Sequence, residues 1–93
     1  MKEIETREIK LKIWEEIVGD CVELSVEDDY IAVYLTVNRH TSKVVFPYES
    51  EEGCILRKTR DKLVGKKIGI LRTDDSARPI VVKIFDSGSL GGT

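Results

Sequence analysis

At 93 residues the chain is long enough for one small domain and too short for two. Apolar residues make up 41% of it and charged residues 34%, which is typical of a folded protein with a strongly ionised surface. No apolar run is long enough to span a bilayer or to act as a secretory signal, so the sequence predicts a cytoplasmic protein with no membrane partner. We expect residues 1–86 to form a single β-rich domain and residues 87–93 to form a flexible tail.

The residue types that are rare in this chain are also informative. Cys21 and Cys54 lack CxxC spacing and clustered histidines, which predicts two reduced thiols and neither a disulfide nor a zinc site. Glutamine is absent and asparagine occurs once, at Asn38, while charged residues fill a third of the chain. This balance is typical of heat-adapted proteins. The overall texture resembles that of small proteins from thermophilic archaea, a likeness too general to assign a role to any residue.

The first segment of the chain fits two structures. The stretch Ile9–Ile13 alternates apolar and basic residues as a strand does, whereas the apolar spacing in Leu11–Val18 fits a helix that Gly19 would end. Both descriptions remain open on the sequence alone. We predict an extended start that passes into a short helical turn at Trp14–Val18, and we expect Trp14 to lie in the core.

A hairpin and a third strand follow. Apolar residues alternate with acidic and polar ones over Val22–Val26, which predicts the first strand of the hairpin. Asp28–Asp29 is the predicted turn, and Tyr30–Val37, rich in β-branched and aromatic residues, is the predicted second strand. Asn38–Ser42 is polar and is predicted to be a connection. Lys43–Phe46 is predicted to be the third strand, which the following proline would end.

The second half of the chain predicts one helix and two more strands. Ser50 precedes two glutamates and is typical of a helix N-cap, and Gly65 is placed to end that helix. Lys67–Arg72 is predicted to be the fourth strand, Asp74–Ala77 a turn, and Pro79–Phe85 the fifth strand.

The element order strand, strand, strand, helix, strand, strand resembles that of the five-stranded oligonucleotide-binding (OB) barrel. That fold carries its helix between the third and fourth strands. The resemblance covers Cys21–Phe85 and is one of topology alone, so it transfers no functional residue. It implies an α+β, mostly β fold, either a small five-stranded barrel or a strongly curved antiparallel sheet. An SH3-like or Sm-like barrel and an open α+β sheet remain alternatives.

An internal similarity relates residues 17–37 to residues 63–85. Within it, Ile17–Asp29 aligns without gaps with Leu63–Asp75, and the two stretches share a Val-Gly pair and an Asp-Asp pair. An ancient duplication predicts two related helix-strand-strand halves. The alternative is that a glycine after a helix, an amphipathic strand and an aspartate turn generate the similarity through local physics.

Catalytic groups are sparse. His40, the only histidine, lies beside Thr41 and Ser42, but no nucleophile motif frames these hydroxyls. Asp28–Asp29 and Asp74–Asp75 are typical turn residues and lack the ligand spacing of a calcium loop. We therefore expect a protein that is not an enzyme and that has no catalytic residue, metal or cofactor.

Charge is distributed unevenly along the chain, whose net charge is −2. Residues 1–30 hold ten acids and four bases, for a net −6, and residues 31–93 hold seven acids and eleven bases, for a net +4. The bases concentrate at Arg57, Lys58, Arg60, Lys62, Lys66 and Lys67.

This basic cluster is the one candidate binding site in the sequence. Lys and Arg side chains can neutralise phosphates, and outward-facing Tyr30, Tyr34, Phe46 and Tyr48 could stack on unpaired bases. The sequence therefore predicts a nucleic-acid-binding module for RNA or single-stranded DNA. The alternative is a protein-interaction or self-assembling module. In it, the acidic first third of one chain meets the basic helix of another, or unpaired edge strands join to form a homo-oligomer.

Overall fold

The computed structural model describes residues 7–85, which form one mixed β-sheet and one helix. The elements, in chain order, are β1 (Arg7–Ile9), β2 (Glu16–Val26), β3 (Tyr30–Val37), β4 (His40–Pro47), α1 (Glu51–Leu63), β5 (Lys67–Arg72) and β6 (Ile80–Phe85). The predicted α+β, mostly β class is confirmed. The predicted flexible tail, residues 87–93, lies outside the described residues.

The sheet is open and has six strands in the order β1-β4-β3-β2-β5-β6. The prediction of a five-stranded barrel is wrong, because β1 and β6 lie at opposite edges of the sheet and do not pair with each other. The prediction of an antiparallel sheet fails at one edge, where β1 runs parallel to β4. The predicted extended start is present as β1, but this strand ends at Ile9, where the alternating pattern of Ile9–Ile13 begins.

The core lies between α1 and one face of the sheet, which we call the inner face. Side chains alternate between the two faces of a strand, so Ile31, Val33 and Leu35 of β3 point inward together, and all three are fully buried. Leu56 and Leu63 of α1 are buried in the same cluster. The helix therefore covers the inner face and leaves the other face, which we call the outer face, without a covering layer among the described residues.

The two ends of α1 are as predicted from sequence. Ser50 is the N-cap, and its Oγ accepts a hydrogen bond of 3.0 Å from the Gly53 amide. The helix ends at Leu63, and Gly65 then adopts a φ of +90° that side chains with a Cβ rarely tolerate. Gly53 is needed at its own position, because a Cβ there would lie 2.5 Å from the Pro47 carbonyl oxygen.

The helical turn predicted at Trp14–Val18 is wrong, since β2 begins at Glu16. Gly19, which was expected to cap that helix, lies within β2 and is buried against β3. A Cβ on Gly19 would come within 2.8 Å of Val37 Cγ2, so the glycine permits close packing and does not end a helix. Further along β2, the register with β3 shifts between Cys21 and Glu23, which marks a β-bulge.

Trp14 lies on the surface, so its predicted place in the core is also wrong. Its side chain is 62% exposed, whereas Leu11 is 5% exposed and joins the core. Trp14 has a φ of 72° in a tight turn that is closed by a 2.9 Å hydrogen bond from the Glu15 amide to the Lys12 carbonyl. The Trp14 amide also donates to the Arg72 carbonyl, which ties this turn to the end of β5.

The connection predicted at Asn38–Ser42 is shorter than expected. Asn38 and Arg39 have φ values of 51° and 72°, as a two-residue hairpin turn between β3 and β4 requires. His40 consequently lies in β4, where it pairs with Val37. The polar composition of this segment concealed a strand because its side chains lie at the exposed end of the hairpin.

The two similar stretches have different local structures over their first halves. Gly19 lies inside a strand, whereas Gly65 follows a helix. Their later parts both form antiparallel hairpins, β2-β3 and β5-β6, and these hairpins lie next to each other through the β2-β5 pairing. The duplication itself stays a prediction.

Candidate functional site

The six predicted site residues do not form one surface. Four of them lie on α1, where successive residues are about 100° apart around the axis. Lys58 and Lys62 are therefore about 40° apart and share one side, whereas Arg57 and Arg60 are about 60° apart and share a different side. The cluster that is continuous in the sequence is divided by the geometry of the helix.

The remaining two bases lie beyond the helix. Lys66 is exposed in the turn after α1, and its Nζ approaches the Lys62 carbonyl oxygen at 3.3 Å. Lys67 begins β5 and pairs in register with Asp20. Because the next residue, Ile68, is fully buried on the inner face, the Lys67 side chain points to the outer face, away from α1.

None of the six bases forms an ion pair with an acid within residues 7–85. Across that range one ion pair is present, and it joins Arg72 Nη2 to Glu52 Oε2 at 3.8 Å. The exposed bases of the cluster are Lys58, Arg60, Lys62, Lys66 and Lys67. Their charges face solvent, and none of the five forms an ion pair with an acid of residues 7–30, although Asp20 is the register partner of Lys67.

Arg57 differs from the other five because it is packed against an aromatic ring. Its guanidinium carbon lies 4.3 Å from the centroid of the Tyr48 ring, a distance typical of cation–π stacking. Its Nε is buried and has no hydrogen-bond partner among the described residues. The contact stabilises the junction between β4 and α1, and it covers one face of Tyr48.

The four aromatic residues proposed for stacking have different environments. Phe46 is 3% exposed and belongs to the core, so it presents no stacking face. Tyr30 and Tyr34 alternate with buried residues of β3 and lie on the outer face. Lys43 Nζ lies 5.4 Å from the Tyr30 ring centroid. Two of the four aromatics are therefore partly exposed, on the face opposite to the helix.

The outer face carries acids as well as bases. Glu23 pairs in register with Tyr34, and Asp20 pairs with Thr36 on the same face. On the other side of Tyr34, the register partner is Lys43. The partly exposed Tyr30 and Tyr34 and the helix cations without acidic partners thus lie on different faces of the molecule.

No catalytic constellation is found within residues 7–85. His40 is exposed and makes no side-chain hydrogen bond to Thr41 or Ser42, and the Thr41 hydroxyl lies 3.1 Å from the Thr36 hydroxyl. No three His, Cys, Asp or Glu side chains in this range are grouped as metal ligands would be. The Asp75 carboxylate accepts a 2.9 Å hydrogen bond from the Ala77 amide, as a turn aspartate does.

The two thiols are not joined to each other. Cys21 is buried in the core, and Cys54 is partly buried on α1. Burial raises the pKa of the Cys21 thiol from its ordinary value of 9.0, although a hydrogen bond to the Glu23 backbone acts in the opposite direction. This environment favours the unreactive neutral thiol.

A feature that sequence reasoning did not single out is the free side of β6. This strand pairs with β5 alone among the described elements, and it is mostly apolar. Ile84 is 44% exposed and Phe85 is 38% exposed. The sequence IVVKIF could have indicated this feature, because an apolar strand with a single charge is prone to pair with another chain when it lies at a sheet edge.

Comparison of the chain with protein-family models, with curated proteins and with solved structures finds no match in any of the three. The helix of residues 7–85 is shorter and less apolar than a membrane-crossing helix has to be.

Proposed function

We propose that this protein is a self-associating interaction module in which β6 of one copy pairs with β6 of a second copy. The observation that carries the proposal is the free side of an edge strand with a single charge, at Lys83. Each unpaired backbone group on such a strand can hydrogen-bond to another strand. Pairing would also cover Ile84 and Phe85, the most exposed apolar side chains of the strand.

A twofold symmetric pair restricts the register. Residues that lie directly opposite each other in an antiparallel pair point to the same face of the sheet. A twofold axis through residue 82 or through residue 83 satisfies this rule. An axis midway between them would set residue 82 opposite residue 83 of the partner subunit, and these two side chains point to opposite faces. An axis at Lys83 would place two ammonium groups directly opposite each other, which destabilises a strand pair. An axis at Val82 avoids this and sets Ile84 against Ile80 of the partner subunit. We therefore propose the axis at Val82.

The experiment that tests the proposal is sedimentation velocity over a range of protein concentrations, with Ile84→Lys as the variant. Ile84 is largely exposed, so the substitution leaves the monomer core intact. Removing an apolar contact of this size weakens association by about 1.5 to 3 kcal/mol, which corresponds to about ten- to a hundredfold. The matched control is Val22→Lys, which changes a residue that is 53% exposed in the bulge of an interior strand.

The proposal expects a native dimer, a weakened Ile84→Lys protein and an unchanged Val22→Lys protein. A native chain that stays monomeric at all concentrations would contradict it. The register is tested separately by oxidising Val82→Cys and Lys83→Cys proteins, because the Val82 axis predicts that the former cross-links faster. Faster cross-linking at position 83 would overturn the proposed register and leave the edge pairing in place.

Nucleic-acid binding is a second candidate, and the unpaired cations of α1 favour it. Exposed lysines without acidic partners are available to neutralise phosphates, and such binding weakens steeply with salt. The pair Lys58 and Lys62 shares one side of the helix and provides the best-defined cationic surface. The surface would bind RNA or single-stranded DNA through the backbone, without reading sequence.

Fluorescence anisotropy with mixed-sequence single-stranded RNA, at low and at physiological salt, tests this second candidate. The variant is Lys58→Glu with Lys62→Glu, and the control is Lys83→Glu on β6. Binding that the helix variant abolishes and the control retains would support the candidate. Binding that is absent at low salt, or that both variants reduce equally, would exclude it.

A further inference from the structure

A cleft of about 520 Å³ lies beside the start of α1, and five separate segments of the chain line it. Its volume is within the range of about 300 to 1,000 Å³ that is typical of small-molecule sites. Tyr30, Val45 and Pro47, which are partly buried or exposed, supply its accessible apolar surface. No residue of β6 lines the cleft, although Arg72 is the register partner of Ile80 in that strand.

The charged groups of the cleft have both signs. Arg72 and Glu52 come from β5 and α1, and Lys10 and Asp29 are exposed residues of two connections. The formal charges of these four side chains sum to zero. A ligand with only one sign of charge would therefore meet a like charge as well as an opposite one.

Arg72 and Glu52 are close together but incompletely paired. Arg72 Nη1 donates a 2.8 Å hydrogen bond to the Leu11 carbonyl, which fixes the guanidinium in place. Arg72 Nη2 lies 3.8 Å from Glu52 Oε2, which is too long for a hydrogen bond. A guanidinium has five N–H donors, so most of its donors remain for another acceptor.

Glu52 is the more buried member of the couple. Its side chain is 12% exposed, and it makes no side-chain hydrogen bond to any residue of 7–85. Its carboxylate oxygens are not fully buried, so water still reaches them, but no donor of residues 7–85 lies within hydrogen-bond distance of them. An ammonium group in the cleft would supply both a hydrogen-bond donor and a compensating charge.

We infer that the cleft is a binding site for a small zwitterion, an α-amino acid with an apolar side chain. Arg72 binds the carboxylate of the ligand and Glu52 binds its ammonium group. The side chain of the ligand packs against Tyr30, Val45 and Pro47. An anion without the ammonium group leaves Glu52 unpaired, and a cation without the carboxylate leaves Arg72 unpaired, so the site selects for both charges.

The test is a titration of the isotope-labelled full chain, followed through the backbone amide signals of Leu11, Glu52 and Arg72. The probes are L-leucine, L-phenylalanine, N-acetyl-L-leucine, which lacks the ammonium group, and L-leucinamide, which lacks the carboxylate. We expect saturable shifts with the two amino acids and binding at least about tenfold weaker with each blocked analogue, the loss of one charged contact.

Two variants assign the roles of the charged groups. Glu52→Gln is expected to reduce the affinity for leucine to that for N-acetyl-leucine, and Arg72→Gln to reduce it to that for leucinamide. Arg72→Lys, which keeps the charge, should retain part of the preference for leucine over leucinamide. The control is Lys62→Gln, an exposed residue at the other end of α1, which should leave all four affinities unchanged.

The proposal is overturned if the shifts do not saturate, or if all four probes shift the same signals equally. It is also overturned if Glu52→Gln keeps the native preference for leucine over N-acetyl-leucine. The spectrum of each variant without a ligand shows whether its fold is retained. The Glu52 comparison alone decides the proposal if loss of the Arg72 hydrogen bond to Leu11 unfolds the Arg72→Gln protein.

Discussion

The two edges of the sheet are built differently, although each is a strand with one neighbour among the described residues. Within residues 7–85, β1 has three residues, and two of them, Arg7 and Glu8, are charged. β6 has six residues and one charge. Short length and charge are the means by which proteins keep edge strands from pairing with other chains. The β1 edge has both protections and the β6 edge has little of either, which is why we place the proposed interface at β6.

The two edge strands also differ in how much apolar surface each buries in the core. Substitutions at these buried positions should have the largest effect of those considered, and the quantity they change is the free energy of unfolding. Ile80 of β6 is 4% exposed and belongs to the core, whereas Ile9 of β1 is partly buried and packs against its margin. We expect Ile80→Ala to lower the free energy of unfolding by about 2 to 5 kcal/mol and Ile9→Ala to lower it by less. Urea unfolding of both variants, at a concentration where each sediments as a monomer, measures the difference. Equal losses would mean that the two edges are anchored alike.

Charged residues introduced on β6 should protect that edge in the way that Arg7 and Glu8 protect the edge at β1. Ile84→Arg combined with Phe85→Glu places charges on β6 as they occur on β1. Because both side chains are exposed, we expect the monomer to remain folded while association weakens by about a hundredfold or more. Sedimentation velocity gives the dissociation constant.

The reciprocal change serves as the control. Arg7→Val with Glu8→Ile removes the charges of β1 and should leave β6 pairing intact while a second adhesive edge forms. Species larger than a dimer are then expected, because two different adhesive edges on one chain permit open-ended assembly. A reciprocal variant that stays dimeric would show that the length of β1, and not its charge, protects that edge.

The smallest expected effect concerns an interior strand, which provides a reference free of edge effects. Cys21 of β2 is buried, and burial raises the pKa of its thiol above the ordinary 9.0. The folded state therefore binds the proton more tightly than the unfolded state, and the resulting stability is complete below pH 9.0 and decreases as the pH rises through the raised pKa. We expect the native protein to lose stability relative to Cys21→Ala across this alkaline range. Denaturant unfolding of both proteins at several pH values measures the loss, and parallel pH curves would contradict it.

Sequence reasoning succeeded where local chemistry determines the structure. Ser50 binds a first-turn amide, Gly65 adopts a left-handed conformation after the helix, and the paired aspartates at 28 and 29 join two strands. Each of these depends on neighbours within a few residues. The helix and the strands predicted at Tyr30–Val37, Lys67–Arg72 and Pro79–Phe85 were therefore located to within one or two residues. The other two strands were found but are longer than predicted: β4 begins three residues before Lys43, and β2 begins six residues before Val22.

Prediction from the sequence failed where the structure depends on residues that are distant in the chain. Gly19 was interpreted as a helix cap, but it is needed because Val37 of a neighbouring strand approaches it closely. The sheet edges were not predicted, because which strand lies at an edge is decided by pairing order and not by the strand itself. The basic cluster was visible in the sequence, yet its division around α1 follows from helical geometry. The cleft has no local motif, since its lining comes from five segments.

The exposed turn at Trp14 gives the protein an intrinsic fluorescence signal. It is the only tryptophan of the chain, and its side chain is largely in water while its amide is bound to the carbonyl of Arg72, a residue that lines the cleft. Its emission should resemble that of the free amino acid and should be quenched readily by iodide. Emission from this indole will report on events at the end of β5, including occupation of the cleft, without labelling and without perturbing the core.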